Sequence, residues 1–187
     1  MNVQNQPEEV AVADTRRWLE RAVVGLNLCP FAKSVLVKNQ VHIVATPAQD
    51  RAEILEAFAR ELEDLVALAP SVRDTTLLLI PRGMDDFLAF LDLVQGAERV
   101  LRRRGLEGTI QVAHFHPRFV FADADEDDLA NCTNRSPCPT LHLLREESID
   151  RAVAAFPDAA AIFEANMERL RALGREGWDA LGVGPAP

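Results

Sequence analysis

The residues best suited to chemistry concentrate between positions 110 and 145. This stretch contains three of the four histidines and two of the three cysteines: His114, His116, His142, Cys132 and Cys138. Imidazoles and thiols bind metal ions and carry protons. Their clustering predicts a functional site in this part of the chain, but it does not identify a substrate.

Two of the histidines share a predicted strand. His114 and His116 lie in the segment 110–116, and alternate residues of a strand point to the same face. Their backbones would be about 6.5 Å apart, so both rings can reach one metal ion. His142, from the segment 139–144, is the candidate third ligand. Three histidines with an open position suit catalytic zinc, or iron with an added carboxylate. A metal-free acid–base pair and purely structural histidines are the alternatives.

The cysteines suggest a second kind of chemistry. Cys29 follows the first predicted helix, and Lys33 could supply the positive charge that a reactive thiolate needs. The alternative is a small buried residue at a helix end. Cys132 and Cys138 are separated by five residues, which does not fit a structural zinc site. A disulfide between them is disfavoured in the reducing cytoplasm that an odd cysteine count indicates.

The loop 131–140 has the composition of an anion-binding loop. It is rich in turn residues, and its two prolines limit its freedom. Arg135 is the first candidate to hold a carboxylate or phosphate, because guanidinium offers a planar fork of donors. Pairing of Arg135 with the acidic run 123–128 is the alternative. The other candidate substrate-binding residues are Arg82, Asn134, Ser136 and Lys33.

Strands and helices alternate along the chain that must position these residues. Apolar spacing predicts helices over 8–27, 50–68 and 85–104, and strands over 41–46, 75–80 and 110–116. A fourth strand over 139–144 is left open. Ser148 is predicted to cap a helix over 149–156, and a last helix runs from Pro157 to about Leu173.

This order predicts an α/β fold with a mainly parallel central sheet of three to four strands and helices on both faces. Residues 1–187 would form one domain with a flexible tail from about residue 182. Ligands of such folds gather at the carboxyl ends of the strands. The predicted ends lie at Thr46, at 81–83 and at His114–His116, so the histidines fall where a site is expected.

The composition and net charge of the chain limit the classes of partner that it is expected to bind. The chain of 187 residues is 48% hydrophobic and carries a net charge of −9. Hence a core can form without disulfides or metal, and nucleic acid and anionic membranes are disfavoured as partners. The N-terminal residues do not resemble a signal peptide, and no apolar run is long enough to predict a membrane span. The expected partner is a small molecule, and the expected location is the cytoplasm.

Three stretches together resemble a bacterial family, domain-of-unknown-function family 1415. They are Gly25-Leu-Asn-Leu-Cys-Pro-Phe-Ala-Lys33, His114-Phe-His-Pro117 and the segment 133–146. The resemblance spans nearly the whole chain, and its last stretch is the most specific. It implies no activity. An aromatic residue in the family pattern stands where this chain has Cys138, which argues against a site built on Cys132 and Cys138. The implied motif positions are Cys29, Lys33, His114, His116, Asn134, Arg135, Ser136 and His142.

Three functional hypotheses follow. The first is a cytoplasmic enzyme acting on a small anionic metabolite, in which His114 and His116 hold a divalent metal ion or move protons. A metal-bound water of lowered pKa would then favour hydrolysis or hydration. The second is a thiol or redox enzyme centred on Cys29. The third is a protein that binds a metabolite or metal without catalysis.

Overall fold

Four strands form one sheet in the computed structural model, which describes residues 7–154 and 159–184. They are β1 (Val41–Ala45), β2 (Thr75–Leu79), β3 (Ile110–Phe115) and β4 (Thr140–Arg145), in the order β1-β2-β4-β3. β1 pairs with β2 in parallel, whereas β4 is antiparallel to both β2 and β3. The chain therefore has a mixed α/β fold, and the prediction of a mainly parallel sheet is wrong.

The insertion of β4 explains this difference. β1, β2 and β3 all run in one direction, as expected when a helix connects each to the next. The connection from β2 to β3 passes over one strand position, and β4 returns in the opposite direction to fill it. Leu141 and Leu143 of β4 are fully buried in the core. Apolar alternation predicts a strand at this place, but it does not say which strands will be its neighbours.

The helices account for most of the remaining described residues. Asp50 and Asp86 cap the starts of α3 and α4 by accepting backbone N–H groups. A π-helix at Leu19–Val24 continues α1, and a 3₁₀ turn occupies Leu129–Thr133. The helices are α1 (Pro7–Trp18), α2 (Ala32–Val37), α3 (Arg51–Ala67), α4 (Phe87–Arg103), α5 (Glu146–Ala154) and α6 (Ala159–Ala180, broken at Gly174).

Several element boundaries differ from those predicted. Helix α2 is not among the predicted elements, which leave the residues between 27 and 41 without a helix or strand. Ser148 does not cap a helix: α5 begins at Glu146, and the Ser148 hydroxyl donates to Asp74 at 2.7 Å. The predicted end of that helix, at residue 156, and the predicted start of the last helix, at Pro157, both lie within 155–158, outside the described residues. Val183, in the predicted loose tail, is buried, and 185–187 also lie outside the description.

Helices cover both faces of the sheet. α3 and α4 pack on one face around Phe58 and Phe90, which we call the α3/α4 face. α1, the π-helix and α6 pack on the other around Trp18 and Leu170, which we call the α1/α6 face. No helix within the described ranges is long and apolar enough to cross a membrane.

Candidate functional site

The strand register separates the histidines. His142 of β4 pairs with Leu77 and Ala113, whereas His114 of β3 pairs with Leu141. Paired residues point to the same face of a sheet, and successive residues of a strand point to opposite faces. His142 therefore points to the α1/α6 face and His114 to the α3/α4 face. The structure does not bring the three candidate metal ligands together.

His116 is a fully buried structural residue. The backbone N–H of Arg118 donates to its Nδ1 at 3.0 Å, so the ring proton must be on Nε2, which donates to the Met84 carbonyl at 2.9 Å. The ring packs against Phe87 and Phe90. Burial lowers the pKa of His116, so the ring is neutral. Both nitrogens are occupied, which leaves no lone pair for a metal ion or a substrate.

His114 also lies among aromatic side chains. Its ring centroid is 6.0 Å from that of Phe90 and 5.9 Å from that of Phe119, and burial lowers its pKa. Across residues 7–154 and 159–184, no group of three or more His, Cys, Asp or Glu side chains could hold a metal ion. The sealed His116 and the isolated His114 do not have the geometry of the predicted site.

His142 has a different environment. The Thr75 hydroxyl donates to the Leu143 carbonyl at 2.7 Å, so it can only accept from the His142 Nε2, also at 2.7 Å. The ring proton is thus on Nε2, and Nδ1 carries the lone pair. Burial lowers the pKa of His142 to about 4, which keeps the ring neutral. The ring is partly exposed, and it lines two adjoining cavities.

These cavities lie on the α1/α6 face. The larger cavity has a volume of about 870 Å³ and the smaller one about 390 Å³. Cys29 and His142 line both of them, so the two polar side chains lie where the cavities meet. The rest of the shared wall is hydrocarbon and aromatic, supplied by residues that include Leu19, Phe31, Leu77 and Phe115.

An irregular segment after α1 positions Cys29. The π-helix Leu19–Val24 ends at Gly25, where a Cβ atom would collide with the carbonyl oxygen of Arg21. Asn27 lies in the turn that follows and has a positive φ of 52°, which asparagine tolerates better than most residues. π-helical turns are frequent at functional sites. Together these features lead the chain from α1 into the cavity wall at Cys29.

The other two cysteines are sealed. Cys132 and Cys138 are buried, and all three cysteines are free thiols. Burial raises the pKa of Cys132, and it raises that of Cys138 to about 11. Both thiols therefore stay protonated at neutral pH, and of the three cysteines Cys29 is the one that lines these two cavities.

The predicted anion-binding residues mostly have structural contacts. Arg135 donates to the carbonyls of Phe119 and Glu126, rather than to a carboxylate of the acidic run. The buried Ser136 hydroxyl donates to the Cys138 carbonyl, and Arg82 forms an ion pair with Glu8. Lys33 is exposed and lies outside both cavity walls. Asn134 is the exception, since it lines the smaller cavity.

Comparison with known proteins gives a family and no activity. A family model described as a protein of unknown function, DUF1415, matches residues 10–180. The chain belongs to the DUF1415 family. Neither the curated proteins nor the solved structures gave a match. Two motif positions of this DUF1415 chain, Cys29 and His142, lie at the cavity junction.

Sequence reasoning missed three residues of this DUF1415 site. Lys38 lines the larger cavity, just beyond the unpredicted helix α2. Phe115 lines both cavities and stacks at 5.9 Å from His142. Trp18 lines the smaller cavity. Trp18 lies in the first predicted helix, over 8–27, where apolar spacing indicates burial but does not indicate what its polar indole N–H contacts.

Proposed function

We propose that this protein binds a small organic metabolite with an apolar body in the two cavities of the α1/α6 face. The observation that carries the proposal is the junction, where Cys29 and His142 meet hydrocarbon walls. Ligand sites typically combine a mostly apolar concave surface with a few polar groups. We also propose that the protein works in a bacterial cytoplasm, which is the location expected from the sequence.

His142 would act as a neutral recognition group. Its Nδ1 lone pair accepts a hydrogen bond, so a hydroxyl or amide N–H of the ligand suits it. With a pKa of about 4 the ring is a poor base at neutral pH. It would therefore orient a ligand rather than remove a proton from the Cys29 thiol.

Lys38 would hold an anionic group of the ligand. Three cationic side chains line the larger cavity. Arg145 donates to the carbonyls of Leu65, Leu68 and Arg73, so its guanidinium is occupied. Arg151 pairs with Glu147. Among the described residues Lys38 has no such partner, which supports the small anionic metabolite expected from the sequence.

The binding proposal is tested with 1-anilinonaphthalene-8-sulfonate, an apolar anionic dye. Ala113 lines the larger cavity and pairs with His142 across the sheet, so Ala113→Phe would place a ring beside His142. We expect saturable fluorescence enhancement with the unmodified protein and at least about tenfold weaker binding by Ala113→Phe. Ala122→Phe, the same change at an exposed loop residue, is the control. Equal binding by Ala113→Phe and the control would refute the proposed site.

A thiol enzyme is the second candidate function, supported by the position of Cys29 in the cavity wall. The Cys29 sulfur would form a bond to a carbonyl carbon of the bound metabolite while the C=O π electron pair moves to the oxygen, which takes up the thiol proton to give a hydroxyl-bearing adduct. Rapid, selective carboxymethylation of Cys29 at neutral pH supports this candidate, and inertness of the thiol removes it. The metal-dependent hydrolysis or hydration expected from the sequence would need ligands other than His116, whose nitrogens are both occupied.

A further inference from the structure

The floor of the larger cavity follows strand β3 lengthwise. Gln111, Ala113 and Phe115 occupy alternate positions of β3, so they point to the same face of the sheet. None of these three residues is buried, and all three line the larger cavity. Four residues of a strand extend over about 13 Å. A ligand body that covers this floor is therefore elongated and lies along β3.

Polar side chains gather at the Gln111 end of this floor. Gln111 belongs to a row across the sheet that lies near the starts of β1, β2 and β3 and the end of β4: Val41, Thr75, Leu144 and Gln111. Gln40, just before β1, donates from Nε2 to the Ser71 carbonyl at 3.1 Å. The Ser148 hydroxyl of α5 donates to Asp74, just before β2. The segments before β1, before β2 and after β4 therefore meet here, and we call this the polar end.

The polar end suits an anion better than a cation. Of the described residues that line the larger cavity, one is anionic and three are cationic: Asp74, Lys38, Arg145 and Arg151. Asp74 already accepts from Ser148, which in turn accepts from Arg151 at 2.8 Å. Arg145 is held by backbone carbonyls. Within the described ranges, Lys38 is thus the cation whose charge is left for a carboxylate.

The flanking helices supply hydrocarbon to the rest of the wall. Helices α2 and α5, whose residues all lie in the described ranges, contain no buried residue. Both turn partly exposed apolar side chains to the larger cavity: Val35, Leu36, Ile149 and Ala152. Covering this surface with a ligand's hydrocarbon is favourable. A compact acid held by Lys38 would not reach the Phe115 end of the floor, whereas a long chain does.

We infer that the larger cavity binds a straight-chain fatty acid about as long as decanoate, with its carboxylate at Lys38 and its chain along β3 toward Phe115. The inference rests on the proposed function and names its substrate class. It adds a direction and a length, because the carboxylate lies at the polar end and the floor is about 13 Å long. The chain passes Cys29 and His142, which line the same cavity.

Chain length gives the first test, which uses the unmodified protein. Hexanoate, octanoate and decanoate are compared by protein-observed NMR titration. Each buried CH₂ group should raise the affinity about fourfold, so we expect decanoate to bind at least about 50-fold more tightly than hexanoate. The compact acid 1-adamantanecarboxylate has one carbon more than decanoate, and we expect it to bind at least about tenfold more weakly than decanoate. Equal affinities of decanoate and hexanoate, or of decanoate and the compact acid, would overturn the inference.

A block halfway along the floor gives the second test. Ala113→Phe places a ring between the polar end and Phe115, so carbons beyond the length of hexanoate lose their contact with the floor. We expect the preference for decanoate over hexanoate to fall below about fivefold in Ala113→Phe and to stay at the wild-type value in the control Ala122→Phe. A preference that Ala113→Phe leaves unchanged would exclude the path along β3.

The dye experiment separates this inference from the proposed function. If Ala113→Phe weakens dye binding as expected but the acids show no gain with chain length, the inference fails and the proposed function stands. If neither the dye nor any of the acids binds, both fail.

Discussion

The histidines on the two faces of the sheet differ in burial and in hydrogen bonding. On the α3/α4 face, His116 has both ring nitrogens hydrogen-bonded and is fully buried between aromatic rings. On the α1/α6 face, His142 has one bonded nitrogen and one lone pair, beside a cavity. A histidine is therefore recognised as structural or functional by whether both of its ring nitrogens already have hydrogen-bond partners. Its residue type and its spacing from other histidines do not suffice.

Substitutions on the two faces should also change different properties of the protein. Substitutions on the sealed α3/α4 face should mainly change the free energy of unfolding. Substitutions at the cavities should mainly change ligand affinity, thiol reactivity or pH dependence.

The largest expected effect is on the sealed face. His116→Ala removes a fully buried ring and leaves the Met84 carbonyl and the Arg118 N–H without partners. We expect the free energy of unfolding to fall by about 4 kcal/mol, as measured by urea denaturation. The cavity-lining Lys38→Ala should cost less than about 1 kcal/mol. Equal losses in the two variants would remove the distinction between the faces.

The second-largest expected effect is on the pH dependence of the unfolding free energy. In the unfolded chain His142 takes up a proton near pH 6.5, and in the folded chain only near pH 4. Between these values the unfolded state binds more protons, so stability is lost as the pH falls through this window, by about 3 kcal/mol in total. His142→Gln keeps a donor for Thr75 but does not titrate. The unfolding free energy of this variant should fall less between pH 6.5 and pH 4.

The other histidines do not disturb this comparison. Burial also lowers the pKa values of His42, His114 and His116, but these groups are the same in both proteins. Their contributions cancel in the difference between the wild type and His142→Gln. Parallel pH profiles would mean that folding does not lower the pKa of His142.

The smallest effect is at the rim of the larger cavity. Lys38 is exposed, so its attraction for an anion is weakened by solvent. We expect Lys38→Gln to weaken octanoate binding about threefold at low salt, with a smaller effect at high salt. Lys33→Gln, the same change at an exposed residue of α2 outside the cavity walls, is the control. Identical affinities for the two variants would exclude Lys38 as the anion contact.

Much of the fold can be predicted from the sequence. The apolar run 75–80 predicts a strand covered on both faces, and β2 is buried at every position. The periodic segments 50–68 and 85–104 predict α3 and α4 to within two residues. These predictions succeed because they depend on local burial patterns. α2 was missed because it is only six residues long, too short to show the apolar spacing of a helix.

The site itself depends on contacts that a pattern of residue types does not contain. His114 and His116 were expected to work with His142, and only the pairing of β4 shows that His142 points to the other face. Likewise, the sequence predicts that Arg135 binds an anion, and only the structure shows that its guanidinium donates to two backbone carbonyls. Cys29 and Asn134 were identified from sequence motifs, and the structure adds the cavities beside them.

Cysteine alkylation tests the central claim most directly: the accessible chemistry lies at the junction of the two cavities. Native protein is treated with iodoacetamide at neutral pH, with and without saturating 1-anilinonaphthalene-8-sulfonate, and each thiol is followed by mass spectrometry. We predict that Cys29 reacts at least about 30-fold faster than the buried Cys132 and Cys138, and that the bound dye slows it at least about fivefold. Equal rates for the three thiols, or a Cys29 rate unaffected by the bound dye, would contradict the account.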